Sequence, residues 1–257
     1  MSSIVFSNVS QTYHSPSDES HDTVALKNVS FTIGDQEFVG IVGPSGCGKT
    51  TILNLIAGFL QPSTGEIRLE GARCGYVFQK NNLFPWKTVR QNIEFGLQMN
   101  GVAKLQQQTI VDEYLRQMRL EGFADQYPHE LSIGMQQRAG LARAYAAQPD
   151  TLLMDEPFVS IDAQMRLHMH ELLLDIWTKQ KKTVVFVTHD IDEAILLPDR
   201  VFVFSGRPGM IKEEIPVTLP RPRSHHSLND PHYGVLRKQM IDALFEKTED
   251  KTLSRQE

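Results

Sequence analysis

The chain has 257 residues, a formal net charge of -5 and only two cysteines, Cys47 and Cys74. That length can build one large domain or two small ones around a core of ordinary size, and so few cysteines argue against a disulfide-stapled secreted fold and suit a reducing cytosol. The acidic balance gives no global attraction to nucleic acid or to an anionic bilayer.

Met1 to Phe6 lacks the basic start and apolar run of a secretion signal. Ile4 to Val9 and Ala25 to Ile33 then read as strands from their β-branched, alternating pattern, separated by the polar spacer His14 to Asp22. Phe38 to Val42 is a short apolar strand entering a glycine-rich turn, and Thr51 to Ala57 has helical spacing. From about Lys87 to Glu130 the pattern becomes helical, carried by Ile93, Leu97, Ile110, Tyr114, Leu115 and Met118. Thr151 to Met154, Thr183 to Val187 and Val201 to Phe204 are continuous apolar runs of strand length, as expected of strands buried on both faces of a parallel sheet. Thr183 to Val187 is also the most membrane-like stretch, far short of the roughly 20 residues that span hydrocarbon, so the expectation is a soluble chain that reaches a membrane only through a partner. After Pro220 the composition mixes proline, histidine and charge, then offers an amphipathic segment at Val235, Leu236, Met240, Ile241 and Leu244. The tail with His225, His226 and His232 reads as a solvated extension, with metal binding or regulation as alternatives.

Gly43-Pro44-Ser45-Gly46-Cys47-Gly48-Lys49-Thr50 has phosphate-loop spacing between a strand and a helix. Its glycines let backbone N–H groups wrap an anion, and the helix N-terminus adds its positive end. On this reading Lys49 holds the β- and γ-phosphates of a nucleotide, Thr50 a Mg²⁺ ion and Thr51 the α-phosphate. Asp155 and Glu156 end the apolar run Thr151 to Met154, and the carboxyl end of a parallel strand is where α/β sheets bind ligand. Asp155 suits Mg²⁺ through water, and Glu156 suits a general base that polarises the attacking water. The plainer reading of an acidic pair after a strand is a helix N-cap. Ser132-Ile133-Gly134 reads as a second anion site, made of the Ser132 hydroxyl, the Gly134 N–H and the following helix N-terminus, or else as an ordinary Ser-capped helix.

In their order along the chain these motifs resemble the ABC ATPases. Leu131 to Arg138 is similar to the LSGGQ signature. Gln79, in Gly75-Tyr76-Val77-Phe78-Gln79, matches the glutamine loop that reaches Mg²⁺ and water; Asp162 matches the aspartate loop, His189 the switch histidine that contacts the γ-phosphate, and Tyr13 the aromatic that stacks on adenine. Leu83-Phe84-Pro85-Trp86, Gly206-Arg207-Pro208-Gly209-Met210-Ile211 and Leu219-Pro220-Arg221-Pro222-Arg223 look like the nitrate/sulfonate/taurine importer branch.

That resemblance implies an α/β P-loop NTPase with a mostly parallel core sheet, an N-terminal antiparallel β subdomain and a helical subdomain. Its boundaries are one ATPase domain over 1–257, the helical subdomain at 87–146 and a C-terminal extension at 220–257. It further implies ATP and Mg²⁺ as cofactors and hydrolysis that drives a small solute, an anion such as nitrate, sulfonate or taurine or a similar nutrient, through a separate permease. The implied partners are a second ATPase subunit as a homodimer, integral membrane permease subunits and, indirectly, an extracytoplasmic solute-binding protein, with no nucleic acid. The implied place is the cytoplasmic face of the inner or plasma membrane, bound peripherally.

The first rival is a soluble, non-transport ABC ATPase of translation or repair, whose kinds usually carry two ATPase domains or a long coiled-coil insertion; only residues 51–130 separate the phosphate loop from the signature here. A kinase or GTPase on the same loop would need neither Ser132-Ile133-Gly134 nor His189, and no guanine-reading Asn-Lys-x-Asp appears. A regulator that binds ATP without hydrolysing it is the third reading. Ile133 encourages it, because the family has glycine there and a β-branched residue disfavours positive φ. Lesser departures are Gln36 where glycine is usual, Val159-Ser160-Ile161 before the aspartate loop, and the short segment Gly71 to Cys74.

Overall fold

A computed structural model describes residues 2–14, 22–71, 73–80, 82–159 and 161–245. Residues 15–21 of the polar spacer, Ala72, Ser160 and the end of the tail, 246–257, lie outside the described residues.

Two sheets organise the chain. The first is antiparallel, in the order β2-β1-β4, with β1 spanning Ile4–Tyr13, β2 Thr23–Ile33 and β4 Thr64–Leu69. The second has the order β5-β6-β7-β3-β8-β9, built from β3 Phe38–Val42, β5 Cys74–Val77, β6 Thr151–Asp155, β7 Thr183–Thr188, β8 Arg200–Phe204 and β9 Ile211–Pro216. It is parallel except for β9, which pairs antiparallel to β8.

Every residue of β3, β6 and β7 is buried. Helix α1, Lys49–Ile56, packs with the antiparallel sheet through a core that includes Phe6, Phe31, Ile52, Leu53, Val185 and Phe202. A second core joins the sheet to the helices through Phe38, Trp177, Phe186, Leu152 and Tyr145. Burying each such side chain contributes about 1.5–3 kcal/mol, which holds the strand ends, and the residues beyond them, in fixed positions.

Between residues 87 and 146 the regular elements are helical: α2 Val89–Met99, α3 Lys104–Gln117 and α4 Ile133–Ala146, with short 3-10 turns at Glu121–Phe123 and Pro128–Glu130. Thr88 caps α2 through a reciprocal pair of hydrogen bonds with Gln91. Helices α5, Ala163–Lys179, and α6, Ile191–Leu196, follow β6 and β7.

The solvated-extension reading of the tail is corrected for its described part. Helix α7, Pro231–Phe245, packs against α6, β8 and β9, burying Tyr233, Leu236, Met240 and Ala243. Arg223 is buried as well, donating to the carbonyls of Leu219, Val217 and Pro198. The histidines are peripheral: His225 pairs with Glu171 and His232 with Asp230, and no metal-holding group of side chains occurs among the described residues. No described helix is long and apolar enough to cross a membrane. Gln36 sits at φ 59°, which explains why glycine is usual at that position; its N–H is held by Thr183 Oγ1 at 2.9 Å.

Candidate active site

Parallel strands deliver their following residues to one edge of the sheet. Val42 of β3 is level with Thr188 of β7 and Val203 of β8, and Asp155 of β6 with Val187. Val77 of β5 is level with Met154. Residues just past these strands therefore converge: the phosphate loop after β3, Gln79 after β5, Glu156 after β6, His189 after β7. They meet in an open cleft of about 310 Å³, lined by Tyr13, Ser45, Gly46, Gly48, Lys49, Thr50, Thr51, Gln79, Asp155 and Glu156, together with Thr23, Ala25 and Arg207. His189 and Glu156 line an adjoining hollow.

The phosphate loop is wound tightly. Gly48, at φ 94°, caps α1, and a Cβ there would lie 2.6 Å from Leu26. No side chain caps that helix end, so its N–H groups face the cleft as an anion site. Cys47 is buried behind the loop, where burial pushes its thiol up. Gly43 is buried and Pro44 exposed. Lys49 Nζ, almost fully buried, donates to the carbonyls of Gly43 at 2.8 Å and Pro44 at 3.2 Å.

Glu156 is the hub. Its residue takes φ 44°, strained for a side chain with a Cβ, and its N–H donates to Val187 O at 2.9 Å. Its carboxylate accepts from Gln79 Nε2 at 3.4 Å, faces His189 Nδ1 at 3.0 Å and lies 3.6 Å from Lys49 Nζ. Behind it, Thr50 Oγ1 donates to Asp155 Oδ1 at 3.3 Å. Burial pushes the Asp155 carboxyl above the usual range, while the Thr50 hydrogen bond opposes that shift. A buried carboxylate beside a hydroxyl is a fit donor set for a hard divalent cation, which would restore the charged form. At the other end Tyr13 is half-exposed, its hydroxyl 3.1 Å from Thr51 Oγ1.

Ser132, Gly134 and Asp162 do not line this cleft. Ser132 is the N-cap of α4, accepting from Met135 N–H at 3.3 Å, and Asp162 is the N-cap of α5, accepting from Met165 N–H at 3.0 Å. The two caps are neighbours through Met165, whose Cγ lies 3.3 Å from where a Cβ on Gly134 would sit. Ile133 is the first residue of α4, has no positive φ and is 54% exposed. No left-handed conformation is lost there; the substitution adds an apolar side chain to an otherwise open helix end.

Sequence reasoning missed Thr23, Ala25 and Arg207 as cleft residues. The signal for Arg207 was available: it follows β8, a direct neighbour of β3, so it must emerge beside the phosphate loop.

The protein-family profile described as ABC transporter matches residues 26–159. The nitrate import ATP-binding protein NrtD of Synechocystis is 46% identical over 204 residues, covering 77% of each chain. The aliphatic sulfonates import ATP-binding protein SsuB of Bacillus licheniformis is 42% identical over 237 residues, covering 90% of each. Among solved structures, a dimeric ATP-binding cassette in a post-hydrolysis state, bound to ADP and Pi, superposes with a TM-score of 0.74 at 32% identity, covering 83% of this chain and 98% of that one.

Proposed function

This chain belongs to the ABC transporter family, and from that premise we propose how its residues carry out the work. It is an ATPase of the P-loop fold that uses ATP with Mg²⁺ and drives import through a separate membrane permease, on which it is membrane-associated. The observation that carries the proposal is the convergence of three side chains, Lys49, Gln79 and His189, on the carboxylate of Glu156.

In the proposed mechanism the loop amides from Gly43 to Gly48 and Lys49 orient the triphosphate, and Tyr13 stacks on adenine. Thr50, Asp155 and Gln79 would hold Mg²⁺, which neutralises phosphate charge when bound. Binding triphosphate requires Lys49 to exchange its two carbonyl partners for phosphate oxygens. Glu156 accepts the proton of the attacking water, and His189 sits beside it on the γ-phosphate side. Ser132, Gly134 and Asp162 do not line their own cleft, so in this reading they act on the nucleotide of a second copy stacked head to tail, which makes each site a shared one. Residues 87–146 form the helical subdomain in this reading, 1–257 is a single ATPase domain with a C-terminal extension at 220–257, and the assembly is a homodimer on the cytoplasmic face of the membrane. The solute is a small anion of the nitrate, sulfonate or taurine kind, handed over by an extracytoplasmic binding protein.

Two further expectations belong here. Ile133→Gly opens the helix end that meets the partner's nucleotide, and phosphate release is expected to rise severalfold; equal or lower turnover removes Ile133 as a brake. Trp86 is 70% exposed, with its ring 5.7 Å from that of Phe84, which in turn packs on Phe95 at 4.7 Å. Such an aromatic platform, a few residues after Gln79 along the chain, suits a helix of the permease. Tagged chain purified from gently solubilised native membranes in ATP should bring down a polytopic membrane protein, and Trp86→Ala should reduce its recovery about tenfold or more while ATPase activity in solution persists. Recovery of soluble proteins only, with wild type, would leave the ATPase standing and remove the transport role.

A further inference from the structure

We propose that Arg207 is a nucleotide-binding residue, whose guanidinium contacts the phosphate chain of ATP from the Gly46 side of the loop while Lys49 acts from within it. The proposal rests on reading the cleft as the ATP site.

Arg207 lines the cleft, and its Nη2 lies 3.8 Å from where a Cβ on Gly46 would sit. Glycine at Gly46 leaves that approach open. Lys49 and Arg207 are the two cations among the described residues that line the cleft. Lys49 is already engaged by two carbonyls and by Glu156. Arg207 is exposed and has no ion pair or hydrogen bond with another described residue, so its full donor set is free for a ligand.

Its turn is rigid. Ser205 Oγ lies 3.0 and 2.9 Å from the carbonyls of Gly206 and Pro208 and accepts Met210 N–H at 2.9 Å. Gly209 N–H donates to Ala25 O at 2.8 Å, and Lys27 N–H donates to Gly209 O at 3.0 Å. An arginine on a pre-fixed turn loses less freedom on binding, and its planar fork matches two phosphate oxygens at once, which a lysine cannot do. The acids of the cleft have other partners, Asp155 the Thr50 hydroxyl and Glu156 Lys49, Gln79 and His189, and neither is paired with the guanidinium.

The test is titration of the purified full chain with MgADP and MgGDP, nucleotides that probe one set of phosphates with two bases and avoid turnover. Arg207→Ala should weaken both by the same factor, about tenfold, and flatten the salt dependence of binding; Arg207→Lys should recover part of the loss. Because Arg207 has no described partner in the folded chain, its unfolding midpoint should stay at the wild-type value. Unchanged ADP affinity in Arg207→Ala, with Lys49→Ala unable to bind, overturns this proposal alone. Unchanged affinity in both variants overturns the ATP-site reading too. A loss confined to ADP points to the base, and a loss confined to ATP-dependent dimerisation points to the partner subunit; either result removes the phosphate contact.

Discussion

Glu156→Gln is expected to lower ATP turnover by about a hundredfold to ten-thousandfold and to leave the protein as an ATP-bound dimer. The amide keeps the size of the carboxylate and can still accept from Gln79, but it has no basic oxygen to take a proton from water. Lys49 would lose an ion partner at 3.6 Å yet keep both loop carbonyls, so the phosphate loop should retain its shape. His189 would then face a neutral amide in place of the carboxylate 3.0 Å away. Size-exclusion chromatography in ATP and in ADP, beside a phosphate-release assay, separates the effects: a dimer peak in ATP alone, with turnover lost, fits the general-base role. Turnover at the wild-type rate would falsify it, and the nucleophilic water would need another base.

The second large effect lies in the turn that backs the cleft. Gly209→Ala would place a Cβ 1.9 Å from the carbonyl oxygen of Cys47, with Leu26 Cδ2 at 3.1 Å. Neither neighbour can yield cheaply. The first is backbone of the phosphate loop, and the second belongs to β2, to which Gly209 is hydrogen-bonded on both sides of Leu26. Relief requires the loop and the turn to separate, which should cost about 2–4 kcal/mol of stability and weaken ATP binding at least tenfold. Gly206, three residues earlier, has nothing within 4 Å of its would-be Cβ. Gly206→Ala should therefore fall within about 0.5 kcal/mol of wild type. Urea unfolding of the two variants, read beside their ATP affinities, checks the contrast; a Gly209→Ala protein with a wild-type midpoint and affinity would mean the turn and loop are not in contact in solution.

The elements that the sequence hid share a physical cause. Strands β4, β5 and β9 lie outside the buried centre: β4 and β9 are edge strands rich in polar residues, and β5 spans only Cys74–Val77. An edge strand is paired on one side and wetted on the other, so it needs neither a continuous apolar run nor strict alternation. The packing of the C-terminal helix is hidden for a related reason. Its apolar positions read as amphipathic, but whether α6, β8 and β9 leave a face for them to cover is a property of the folded chain, not of the tail's composition.

By itself, the sequence determined the central machinery: buried strands must be long apolar runs, phosphate must be met by glycine-rich backbone, and both requirements write themselves into consecutive residues. Phe38–Val42 with the loop that follows, Thr151 to Glu156, and Thr183 to His189 were all legible for that reason. Only the tertiary structure decided which of these residues share a cleft. Strand order sets β8 beside β3 and so carries Arg207 to the phosphate loop, while Ser132 and Asp162 are gathered at a separate pair of helix ends, touching through Met165. Those neighbours are chosen by hydrogen bonding between strands and packing between helices that are far apart in the chain, and no local pattern of residue types encodes that choice.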